Sequence, residues 1–225
     1  MSLEVEILPD EDWPTLVGRR LTETIAHSPQ ARICLATGNT IAPVYRHTEV
    51  SGDPSIFLLD EYGGLPRDDP ARCAAMFRRD FAHPRFLAPD VDAADPHAAA
   101  DRYGETVRER PLDLAVVGLG RNGHVGMNEP GSTMGSITRK VELSETTSLG
   151  ALEYGASMRP VWGITVGIAE LMSAMQLWLL VTGAHKAEIL AEAMRCPIGP
   201  ELPASYLRDH PNARLLADTA AARLL

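Results

Sequence analysis

The sequence predicts an α/β fold, an open, mostly parallel, doubly wound (Rossmann-like) sheet flanked by helices on both faces, in one domain spanning residues 1–225. Three observations predict it. Apolar runs at 33–36, 56–59, 112–117 and 177–181 carry no alternating polar face, as strands buried on both sides do. Stretches of helical length separate those runs, the alternation that builds a parallel sheet. Clusters of glycine and polar residues follow them directly: Thr37-Gly38-Asn39-Thr40, Asp60-Glu61, 118–129 and 183–186. Strands of a parallel sheet end at a common rim, and ligands bind just past their carboxyl ends.

Val5 to Leu8 alternates weakly and reads as a first strand or a tether. Asp12-Trp13-Pro14 is a helix start, with Pro in the first turn, and Leu16, Leu21 and Ile25 give that helix an apolar stripe. The strand at 33–36 runs into the polar turn 37–40, and Pro43 marks a second helix start. The strand at 56–59 breaks off at Asp60-Glu61-Tyr62-Gly63-Gly64-Leu65-Pro66, read as a loop. A helix over 70–81 turns Met76, Phe77 and Phe81 inward, and 82–96, rich in Pro, Asp and Ala, reads as irregular surface. A polar-faced helix over 98–110 precedes the strand 112–117. Residues 137–143 alternate as a strand, and 149–160, with Gly150, Gly155 and Pro160, read as a mobile connection. Strand 162–166 leads into a helix over 167–173. Strand 177–181 ends at Gly183, and Lys186 opens a helix to Met194. A Pro/Gly loop covers 196–203, a last strand covers 213–217, and Asp218 caps a short terminal helix.

Composition narrows the function. Of the 225 residues 45% are hydrophobic and 23% charged, the balance of a globular domain able to bury a full core. A formal net charge of −9 argues against nucleic acid as a partner, while local donors can still serve an anionic substrate. The acidic N-terminus has no apolar h-region, and no apolar run approaches the roughly 18 residues of a membrane helix. Cys34, Cys73 and Cys196 are scattered without CxxC spacing, as thiols of a reducing, cytoplasmic compartment are.

The chemistry concentrates in the loop after 112–117. Gly118 and Gly120 let the backbone turn, and Asn122, His124, Asn128 and Glu129 follow within a few residues. His124 is the leading candidate for proton transfer, with Glu129 near enough in sequence to orient it. Asp60 and Glu61 follow a buried strand, where desolvation raises a carboxyl pKa and makes a base for a carbon-bound proton. Thr37, Gly38, Asn39 and Thr40 offer N–H groups and hydroxyls to a phosphate, with Lys186 as a second donor. No HExxH or other ligand spacing supports a metal site, and no GxSxG elbow makes Ser132 a nucleophile.

The run GLGRNGHVGMNEPGS from Gly118 to Ser132 resembles the signature loop of the glucosamine-6-phosphate deaminase/isomerase family. LLDEYGGLP from Leu58 and LATGNT from Leu35 resemble two further motifs, and ITRKVELSETT, WGITVGIAELMSA and VTGAHKAEIL continue the match in order. The resemblance implies conversion of glucosamine 6-phosphate, or a close epimer, to a ketohexose 6-phosphate plus ammonia, without a cofactor. Under it Asp60 moves the proton between C2 and C1, and His124, oriented by Asn122 and Glu129, opens the ring. Gly38, Asn39, Thr40 and Lys186 hold the phosphate, with Thr37, Glu61 and Gly118 as further substrate contacts. The expected partner is a small sugar phosphate, and a homo-oligomer is left open.

This chain departs from the family pattern at three places. Asn122 stands where many members carry Asp, and Ile137 stands where activated members carry an effector-binding arginine. In SLGALEYGASMRP no residue matches the phosphate-binding arginine of the lid, and only Arg159 is nearby. The rivals are a 6-phosphogluconolactonase, which shares the fold and a similar loop, and a sugar-phosphate sensor without turnover. The NEP triplet at Asn128-Glu129-Pro130 speaks against the first, and the missing helix-turn-helix against the second.

Overall fold

A computed structural model describes residues 3–81, 83 and 85–225. Among these, six parallel strands form the main sheet in the order β1-β9-β8-β5-β2-β3. They are β1 (Glu4–Leu8), β2 (Arg32–Leu35), β3 (Ser55–Leu58), β5 (Leu114–Gly118), β8 (Leu177–Val181) and β9 (Ala213–Asp218). The central strands are apolar without interruption because both of their faces are covered. Side chains alternate across a strand. Ile33 and Leu35, Leu114 and Val116, and Trp178 and Leu180 therefore join one core, with Trp13, Val17, Leu21 and Ile25 of α1 (Trp13–His27). Cys34, Ala115, Val117, Leu177 and Leu179 enter the other, beneath α4 (Pro96–Arg108) and α7 (Ala187–Arg195). The doubly wound architecture expected from the alternation is what the chain adopts.

A second sheet was not foreseen. The 60–63 stretch is a strand, β4 (Asp60–Gly63), and not a loop. It pairs antiparallel with β7 (Trp162–Thr165), which pairs antiparallel with β6 (Arg139–Glu142). Both 139–142 and 162–165 thus leave the parallel sheet where the alternation had put them. The chain passes from one sheet to the other without a connecting residue beyond Leu59. The Leu59 N–H donates to the Leu35 carbonyl, and the Leu59 carbonyl accepts from Val166 N–H.

Two further expectations change. Residues 145–153 form a helix, α5 (Glu145–Glu153), across part of the supposed mobile connection. Its start carries a legible signal: the Ser144 hydroxyl accepts the Thr147 N–H in an ordinary N-cap. Of the irregular stretch 82–96, Ala82 and Pro84 lie outside the described residues. Leu87 continues the sheet edge, donating to Ile56 O and accepting from Leu58 N–H. The helix expected over 70–81 is α3 (Cys73–Asp80), begun three residues later than the Pro70 signal. The helix started near Pro43 is a single turn, α2 (Ala42–Tyr45). Asp218 caps α8 (Thr219–Ala222) as expected, accepting from Ala221 N–H at 2.7 Å.

Helix α3 is anchored by an aromatic cluster. The Phe77 ring centroid lies 5.5 Å from Tyr45, 5.0 Å from Phe81 and 4.9 Å from Phe86, all edge-on. Edge-to-face aromatic pairs add to the area they bury. Phe77 is fully buried, so Phe77→Ala should cost about 3–5 kcal/mol in urea denaturation followed by circular dichroism. A loss below about 1 kcal/mol would show that the cluster repacks freely.

Candidate active site

The loops at the carboxyl ends of β2, β5 and β8 and the junction after β3 surround one cavity of about 360 Å³. Eight of the residues singled out in the sequence line it: Thr37, Gly38, Asn39, Thr40, Asp60, Gly118, His124 and Lys186. Parallel strands explain this convergence, since segments distant in sequence end at one rim. Asn122, Glu129 and Glu61 do not line the cavity, and each has a different task.

Asp60 opens β4 at the point where the two sheets meet, and only 8% of the residue is exposed. Burial pushes its pKa up to about 6. The Cys73 thiol, donating to Oδ1 at 3.4 Å, and the nearby His124 restrain that rise. Removing water from around a carboxylate disfavours its charged form, while a donor favours it. The result is a base that is largely ionised at neutral pH yet close to its proton-accepting midpoint.

Glu61, the next residue, points to the other side of β4, as strand alternation requires. Its carboxylate accepts the N–H groups of Tyr62, Cys73 and Ala74 at 2.8, 2.8 and 3.0 Å. It caps the start of α3 and does not line the cavity. Burial raises its pKa to about 7 against the pull of those three donors. Glu61 thus holds the Cys73 backbone in place, and with it the thiol that bonds Asp60.

His124 lies in the glycine-rich loop with Nδ1 held from behind. Thr147 Oγ1 of α5 is 3.1 Å from Nδ1, and Glu129 Oε2 is 3.5 Å away. Glu129 is fixed in turn by Asn122 Nδ2 at 2.8 Å and by the Ser144 N–H at 3.2 Å. Burial alone would raise the Glu129 pKa, but His124 and the Thr147 and Asn122 donors hold it down at about 2. Glu129 is therefore a permanent anion beside the imidazole. Asn122 reaches His124 at the main chain and not at the ring. Its Oδ1 accepts the His124 backbone N–H at 3.2 Å, so it orients the ring through the main chain and through Glu129. Gly120 leaves room for the ring, because a Cβ there would lie 2.3 Å from imidazole atoms.

The remaining wall is polar and cationic. Gly38 has φ +113°, a left-handed conformation suited to glycine, and its carbonyl accepts from Ile41 and Ala42 N–H. Lys186 Nζ donates to Leu119 O at 2.7 Å, and burial lowers its pKa to about 8, helped by the charge of Arg121. Arg159 does not serve this wall. It turns along α5 toward Ser148 and Glu145, at 3.4 and 3.6 Å. Ser132 accepts from Arg139 Nη2 at 2.9 Å and does not line the cavity. Among the described residues no three His, Cys, Asp or Glu side chains gather into a metal site.

Sequence reasoning missed Cys73, Thr147, Arg121 and Tyr154 on the cavity wall. Only Thr147 carried a usable signal, as the third residue after a Ser cap.

The Asp60 carboxyl should titrate near pH 6 by carbon NMR. Cys73→Ala should move that midpoint upward, because it removes a donor to the ionised form. A midpoint near 4 in the unaltered protein would mean that Asp60 is well solvated.

Residues 13–216 match the family model described as glucosamine-6-phosphate isomerases/6-phosphogluconolactonase. A glucosamine-6-phosphate deaminase of Rhodopirellula baltica is 36% identical over 242 aligned positions, covering 99% of this chain and 96% of the relative. One from Streptomyces coelicolor is 33% identical, covering 99% and 93%. The solved structure of a monomeric glucosamine-6-phosphate deaminase superposes with a TM-score of 0.93 at 31% identity, over 99% of this chain and 100% of that one. A 6-phosphogluconolactonase from Trypanosoma brucei shares the fold, with a TM-score of 0.77 at 20% identity over 99% of this chain and 98% of that one. The chain belongs to the glucosamine-6-phosphate isomerase/6-phosphogluconolactonase family.

Proposed function

We propose that this protein is an amino-sugar-phosphate deaminase, converting glucosamine 6-phosphate or a close epimer and water to a ketohexose 6-phosphate and ammonia. The observation that carries the reading is that Asp60 and His124 line one cavity together with Thr37, Gly38, Asn39, Thr40 and Lys186. A buried carboxylate, an imidazole backed by a fixed anion and an anion-binding wall are what such a reaction needs. The names of relatives 33–37% identical over most of the chain support it.

The steps follow from the groups present. His124 gives a proton to the ring oxygen as the C1–O5 bond breaks and takes up the proton of the C1 hydroxyl, leaving the open-chain aldehyde and an imidazolium. Its Nδ1 contacts, Thr147 and Glu129, stabilise and aim the imidazolium. Asp60 removes the C2 proton while the imidazolium protonates O1, the C1–C2 enolamine forms, and Asp60 returns the proton to C1 as the nitrogen releases one that restores the imidazolium. The resulting C2 imine takes up water and releases ammonia, which leaves the C2 ketone. Lys186 and the 37–40 turn hold the phosphate, so that remote binding positions C2 against Asp60. All groups come from one chain, so the reading needs no partner subunit. A cytoplasmic location belongs to the same reading and is supported by three cysteines that are all free.

Three outcomes are expected. Incubation with glucosamine 6-phosphate should release ammonia, and incubation with 6-phosphogluconolactone should release no acid above background. Acid from the lactone without ammonia from the amino sugar would transfer the assignment to the lactonases. Asp60→Asn should lower kcat by about 10²–10⁴-fold and abolish solvent-proton exchange at C2 while leaving ligand affinity near that of the parent. Persisting exchange would put the base elsewhere. The base works ionised, so kcat/KM should be full above neutrality and decline as pH falls through about 6, the Asp60 midpoint. An acid limb near 4 would exclude Asp60 as the titrating base.

A further inference from the structure

Lys186 is not the only cation on the cavity wall. Arg121, which stands between Gly120 and Asn122, also lines it, and so does Glu153 in the last turn of α5. Their side chains meet in a forked pair: Arg121 Nη1 lies 2.9 Å from Oε1 of Glu153, and Nη2 donates to Oε2 at 2.9 Å. Both are about half exposed, 55% and 49%, so the pair sits at the mouth and not in the core. Arg121 is also near enough to Lys186 for its charge to act on the buried amine.

A guanidinium fork fits two oxygens of a carboxylate and two oxygens of a phosphate equally well. An exposed ion pair between two long side chains contributes little, so a dianion arriving beside Lys186 can displace Glu153. The chain also carries a net charge of −9, and two adjacent cations on one wall run against that global field. We propose that Arg121 is a substrate-binding residue that takes the phosphate together with Lys186, and that Glu153 occupies its guanidinium until a phosphate displaces it. The inference rests on the reading of the cavity as a sugar-phosphate site and adds a specificity-determining pair to it. It also supplies the cation that Arg159, turned toward Ser148 and Glu145, does not.

The test uses inorganic phosphate as probe, by calorimetric titration of the full chain, beside steady-state ammonia release from glucosamine 6-phosphate. Arg121→Gln should weaken phosphate binding by about tenfold or more and raise KM by a similar factor. Glu153→Gln should tighten phosphate binding several-fold, because the competing carboxylate is gone. Lys186→Gln serves as the internal reference. If Lys186→Gln weakens phosphate binding and Arg121→Gln does not, the arginine assignment is overturned and the sugar-phosphate reading stands. If Arg121→Gln and Glu153→Gln move phosphate binding as expected but the parent protein releases no ammonia, the pair is supported and the deaminase reading fails. Unchanged binding in Glu153→Gln overturns the competitor role, and no phosphate binding by the parent overturns the whole proposal.

Discussion

Everything at this site depends on where the chain leaves the parallel sheet. Leu59 is bonded on one side to Leu35 of β2 and on the other to Val166, just beyond β7. Asp60 follows at once as the first residue of the antiparallel sheet, in register with Thr165. A residue at the seam of two sheets cannot retreat to bulk water, so its carboxyl is desolvated by the architecture itself. That burial raises its pKa and makes it useful near neutrality. The cost is contained because the site is open to the cavity and because Cys73 donates to the ionised form.

The imidazole is controlled differently. His124 sits on a loop, and loops do not hold a ring still without help. Helix α5 provides it. The Ser144 cap starts the helix and also bonds Asn122 and, through its N–H, Glu129. One turn later Thr147 reaches Nδ1. The turn that begins the helix therefore also aims the imidazole, and α5 ends at Glu153 and Tyr154 on the cavity wall. Position of α5, orientation of His124 and shape of the cavity wall at Glu153 and Tyr154 are linked through one nine-residue element.

Lactonases of this fold show why the site, and not the sheet, has to carry the functional argument. A TM-score of 0.77 at 20% identity establishes a common scaffold and leaves the chemistry open.

The sequence by itself determined the parallel core and most of the site. Runs such as Leu114 to Val117 are apolar on both faces, and only a sheet covered twice satisfies them. Since strands in such a sheet end together, the polar clusters after them had to converge, and Asp60, His124, Lys186 and 37–40 do. Tertiary structure alone decided which of two adjacent acids faces the cavity. Asp60 and Glu61 differ by one step along a strand, and that step sends one to the cavity and the other to the start of α3. It also decided the second sheet and the partners of His124 and Arg121. Strands of four residues, such as β4, leave too little periodicity to read, and contacts such as Thr147 to His124 or Glu153 to Arg121 span more than twenty positions. Local pattern fixes which face a residue prefers; only the folded chain fixes what it meets there.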